Sequence, residues 1–183
     1  MSRAFLSPSR CDAGTLTSPL RRALEGANSA AVRDLSLEGV VEIRGDSDLV
    51  EVAEGEDLVR LSPQRGYIFT DGDPADVAER LRAGGVLAYD ATGALAGMAI
   101  ESEQVVRRLT DLDLDELPTS GPFAHVTAIV RRADDGWVEV YVQQEYGHYV
   151  AEAVVDALTG LDTSRGLTRG QTPDVSDPDG SPA

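Results

Sequence analysis

The sequence predicts an α+β domain built from two related units. Three observations carry that expectation. Short runs of β-branched and aromatic residues alternate with stretches of helical period. The segment Val41-Glu42-Ile43-Arg44-Gly45-Asp46, ahead of a short helical stretch, resembles Met98-Ala99-Ile100-Glu101-Ser102 ahead of its helix. Tyr67-Ile68-Phe69-Thr70, followed by a helix at Pro74, likewise resembles Glu139-Val140-Tyr141-Val142, followed by a helix at Glu145. The offsets are about 56 and 72 residues, so the second unit has the longer middle. Each unit reads strand, helix, strands, helix, and a single compact domain follows from joining them.

In chain order, Ser18-Pro19 is placed to start a short helix, with Ser18 as N-cap and Pro19 at the first helical position. Val40 to Gly45 is a strand with a glycine stop, 48–53 one or two helical turns, and Leu58 to Leu61 a strand. Arg65 to Thr70 is a stronger strand, aromatic and β-branched. Asp71-Gly72-Asp73-Pro74 turns into a helix to Ala83, with Val77, Ala78 and Leu81 apolar and Gly84-Gly85 as its end. Val86 to Tyr89 and Leu95 to Ile100 are strands. Ser102 caps a helix that buries Val105, Val106 and Leu109. His125 to Arg132 and Trp137 to Val142 form a hairpin around Asp134-Asp135-Gly136. Glu145 to Leu158 is the last helix, stopped at Gly160.

This organisation divides the chain into a flexible arm (1–31), the folded domain (32–161) and a disordered tail (162–183). The arm and tail are rich in Ser, Pro, Gly and Thr or Asp, too poor in apolar area to offset ordering entropy.

Composition excludes several chemistries. The chain has 183 residues, 32 acidic and 16 basic side chains, a net charge of −16 and a pI near 4.3. Every basic residue is arginine, so no mechanism that needs an ε-amine is available. Two histidines and one cysteine are too few for a Cys/His zinc site of about four ligands. The acidity argues against a general nucleic-acid binder, whose affinity rests on basic patches. No apolar run approaches the roughly 20 residues that span a bilayer, and the lone Cys11 points to a reducing cytoplasm.

The residues that carry chemistry read modestly. Asp111, Asp113, Asp115 and Glu116 read as a solvated face, because a calcium loop also needs a glycine and a closing glutamate. Gly93 to Gly97 matches no phosphate-binding fingerprint. His148 lies between Glu145 and Glu152 at helical spacing, an arrangement open to acid/base work; a residue at the solvent edge is the simpler reading, as it is for His125. The pairs Arg107-Arg108 and Arg131-Arg132 suit a partner's carboxylates. Trp137, Tyr146, His148 and Tyr149 complete a candidate interface with those arginines.

The segment Ile100 to Leu117 is a helix followed by Leu-Thr-x-x-Asp-Leu, here Leu109-Thr110-Asp111-Leu112-Asp113-Leu114. It resembles the folate-binding superfamily of the glycine-cleavage T-protein. The hairpin Thr127 to Val142 and Tyr149 fit the same pattern, and Ser18-Pro19-Leu20 is similar to the start of the sarcosine oxidase gamma subunit family. Gln143-Gln144-Glu145-Tyr146 departs from that family, which places an arginine and a Ser-Phe pair ahead of the last helix. The resemblance covers about residues 18 to 160 and implies a T-protein-like domain of paired ferredoxin-like repeats. It further implies a non-catalytic accessory subunit in one-carbon metabolism, packed on larger flavoprotein subunits of an amine oxidase. This chain would then hold no cofactor, with flavin and folate in the partner subunits. Two other readings stay open: a stand-alone folate-binding module with a pocket between its halves, and a lone enzyme using His148.

Overall fold

The computed structural model describes residues 17–25, 30–46 and 50–169, with side chains through 161. Its strands, all antiparallel, form two sheets. In the first unit β2 (Gly39–Arg44), β3 (Glu56–Ser62), β4 (Arg65–Thr70), α2 (Pro74–Ala83) and β5 (Leu87–Asp90) follow in sequence. They give the spatial order β3-β4-β2-β5, which is the ferredoxin-like arrangement.

The second unit runs β6 (Leu95–Ile100), α3 (Glu103–Leu109), β7 (Thr119–Phe123), β8 (Val126–Arg132), β9 (Val138–Gln143) and α4 (Gly147–Arg169). Its sheet is ordered β1-β6-β9-β8-β7, where β1 is Val32–Asp34. Here β6, β8 and β9 take the first three ferredoxin-like positions. The fourth comes from β1, ahead of the first unit in sequence, while β7 extends the opposite edge. The repeat holds to the level of register: Val41 pairs with Ile68, and the equivalent Met98 with Val140.

The sheets pack face to face with helices outside, a four-layer sandwich. One face of the five-stranded sheet, through Met98, Ile100, Val130 and Val140, buries against α3 and α4. The outer face of the other sheet, through Val41, Ile43 and Ile68, buries against Val77, Ala78 and Leu81 of α2. Between the sheets lie Val40, Tyr67, Phe69, Ile129 and Tyr141. A strand buried on both faces needs apolar or small residues throughout, which is why β6 reads Leu-Ala-Gly-Met-Ala-Ile without alternation. Helix α2 starts at Pro74 as expected, and Asp73 caps it, its carboxylate accepting from the Ala75 N–H at 2.8 Å.

Several expectations need correction. Described residues of the expected arm are packed: Leu20 is fully buried, and α1 (Arg21–Leu24) lies against α4. That helix begins later than Ser18 predicts, and the Ser18 hydroxyl accepts from the Leu20 N–H. The rest of the arm, Cys11 included, lies outside the described residues. The helical turns expected at 48–53 fall partly on 47–49, also outside them, and Val50–Ala53 form no helix. The last helix starts at Gly147, after a 3-10 turn over Gln144–Tyr146, and passes through Gly160 to Arg169. An interior glycine costs a helix only about 1 kcal/mol relative to alanine, too little to stop it. The tail beyond Arg169 lies outside the described residues. His125 belongs to the turn before β8, not to the strand. Strands β1 and β7 were not expected at all. No helix among the described residues is long and apolar enough to cross a membrane.

Candidate functional site

The four candidate arginines have different environments. Arg107 and Glu103 pair one turn apart on α3, at 2.6 Å. Arg132 reaches Glu103 at 3.3 Å and the Leu114 carbonyl at 3.2 Å, tying β8 to α3 and the loop after it. Arg131 is not presented to a partner: it is largely buried in the layer between the sheets. Its Nε donates to Glu139 at 2.5 Å, its Nη1 to Asp57 at 2.7 Å, and its guanidinium lies 4.4 Å from the Phe69 ring centroid. Alternation along β8 turns it to the same face as Ile129. Tyr141 hydroxyl lies 3.0 Å from Glu139 and 3.2 Å from Glu38, and burial holds its phenol well above the usual range. Side chains fill this layer, where the alternative reading of a stand-alone folate-binding module would need a pocket.

Arg108 differs again. It is exposed in the last turn of α3 and has no ion-pair or hydrogen-bond partner among the described residues. It lines a groove of about 310 Å³ with Thr110, Asp111, His125 and Tyr149. Leu109, Pro122, Ala124 and Ala153 give the groove an apolar floor. Ala124 and His125 form the two-residue turn joining β7 to β8, with φ of 46° and 68°. Such a turn favours Asn and Gly, and left-handed backbone at other residues costs about 1–2 kcal/mol each. The turn is pinned from outside. The Ala124 N–H donates to the Leu109 carbonyl at 2.7 Å, and the Thr110 hydroxyl donates to the Pro122 carbonyl at 2.6 Å. The Leu-Thr pair thus fastens the hairpin to the end of α3. The aspartates that follow point outward while Leu112, Leu114 and Leu117 pack inward, which accounts for the alternation.

Tyr146 and Tyr149, 43% and 46% exposed, stand near the start of α4, and Tyr149 lines this groove. His148 Nε2 lies 3.3 Å from Glu152 on the exposed side of that helix. Glu145, expected on the same helix, sits in the 3-10 turn instead. Trp137 is half-buried ahead of β9, with the Arg33 guanidinium 3.8 Å above its ring and Arg33 paired to Asp135 at 2.6 Å.

A second surface escaped sequence reasoning. On edge strand β5, Leu87 and Tyr89 are 58% and 49% exposed on the sheet face that the other sheet leaves uncovered. Glu42 stands beside Tyr89, held by Arg65 at 2.9 Å and Arg44 at 3.1 Å. The alternation of Val86 to Tyr89 places Leu87 and Tyr89 together, but only the edge position of β5 leaves them exposed among the described residues.

No protein-family model matches the chain, and no curated protein matches it. Among solved structures, the chain is similar to a chain of the heterotetrameric sarcosine oxidase from Corynebacterium sp. U-96. The TM-score is 0.68 at 13% identity, covering 79% of this chain and 95% of the other. The class that fold and surfaces define is therefore a paired ferredoxin-like α+β domain with the fold of a subunit from that enzyme.

Proposed function

We propose that this chain is a non-catalytic accessory subunit, of the gamma type, in a heterotetrameric sarcosine oxidase-like amine oxidase. Flavin and folate belong to the larger subunits in this reading, and the complex is cytoplasmic and acts in one-carbon metabolism. The observation that carries the proposal is the fold likeness over 95% of a chain drawn from such an enzyme. Exposed aromatic residues support it: Tyr, Trp and Arg are the side chains that concentrate in protein interfaces. Leu87 and Tyr89 on one surface, and Tyr146 on another, are the residues assigned to subunit contacts.

The test is purification of a tagged full-length chain from its native cells. The proposal expects it in stoichiometric complex with a larger subunit that carries flavin absorbance. Recovery as a lone chain would reject it.

A further inference from the structure

We infer that the groove between α3, the β7–β8 turn and α4 binds a small organic carboxylate, with Arg108 as its counter-ion. Four observations converge there. The cavity, about 310 Å³, matches the lower end of ligand pockets, about 300–1,000 Å³. Arg108 opens onto it without a partner among the described residues, whereas its neighbour Arg107 is already paired with Glu103. An acidic chain offers carboxylates widely, so an arginine left unsatisfied at a concavity has free capacity for an external anion. Its planar fork suits a bidentate carboxylate. Third, the wall carrying His125 is held in a left-handed turn that Ala124 does not favour and that the Leu109 carbonyl and the Thr110 hydroxyl pin in place. Strain of this kind persists only where surrounding contacts over-determine it, and it clusters at ligand sites.

The fourth observation sets the ligand class. The floor is apolar, the Tyr149 ring stands at one side, and Asp111 is part of the wall. Asp111 disfavours a multiply charged phosphate, and the apolar floor and tyrosine ring suit a flat, apolar body. A metal ion is a poorer fit: no three His, Cys, Asp or Glu side chains converge here among the described residues. The inference does not depend on the subunit assignment, since the groove lies within this chain.

Titration of the full-length chain with benzoate and, separately, with inorganic phosphate tests it, read by calorimetry and by amide shifts in NMR spectra. Benzoate is expected to bind saturably and shift Thr110, His125 and Tyr149. Arg108→Gln should weaken it at least tenfold, while Arg107→Gln leaves it unchanged. Arg108 is exposed, so the variant should keep the wild-type melting curve. Absence of saturable benzoate binding, equal affinity in Arg108→Gln, or tighter binding of phosphate than of benzoate would each overturn the assignment.

Discussion

Phe69 and Tyr141 occupy equivalent positions in the two repeats and pack on each other across the sheet–sheet layer, ring centroids 4.4 Å apart and tilted by 43°. Their cross-strand partners differ: Phe69 stands opposite Val40, Tyr141 opposite Gly97. A Cβ at Gly97 would lie 2.5 Å from the Tyr141 ring, so glycine here makes room for the larger, hydroxylated aromatic. Gly97→Ala forces the ring or the strand to move. A loss of about 1–3 kcal/mol is expected, the range for overpacked cores, measured by urea denaturation.

Arg131 joins the two units through Asp57 on β3 and Glu139 on β9. Removing the guanidinium strands a largely buried carboxylate, which costs about 3–5 kcal/mol. Arg131→Met should show that loss in denaturation. The double variant Arg131→Met/Glu139→Gln should recover part of it, because the residual charge is gone.

How much of this was legible follows from strand length and period. The repeat could be read because β2 and β6, and β4 and β9, keep the same pattern at matching register. Strand β1 could not: three residues carry no period, and its place is set by pairing with Ile100, Ala99 and Met98 far along the chain. β7, Thr-Ser-Gly-Pro-Phe, has weak strand propensity and gains its place as an edge. The arginine pairs were visible as candidate sites, but alternation alone did not reveal that Arg131 turns inward while Arg132 reaches toward α3. The groove could not be seen, since it joins Arg108, His125 and Tyr149 through tertiary contact.

The turn at Ala124-His125 gives a local prediction. His125→Gly places the residue that tolerates positive φ where the backbone demands it. Stability should rise by about 1 kcal/mol, the cost of left-handed backbone at an L-residue, seen as a higher melting temperature.

Two exposed carboxylates predict the acid limb of the stability curve. Hydrogen bonds from Arg107, with Arg132 beside it, hold Glu103 below the usual carboxylate range, and Arg33 does the same for Asp135. A lowered folded-state pKa means stability present above the unfolded value and lost as pH falls through the folded one. Wild type should therefore exceed Arg107→Gln and Arg33→Gln in melting temperature near neutrality. The differences should shrink as pH drops below about 4, the ordinary carboxylate range.

The proposed place of this chain is in an amine oxidase complex. Its most direct test is size-exclusion chromatography of the native complex captured through this chain, monitored for protein and flavin absorbance together, with mass spectrometry of the peak. One peak holding this chain and a larger flavoprotein in fixed ratio is expected. A flavin-free peak containing this chain alone would contradict it.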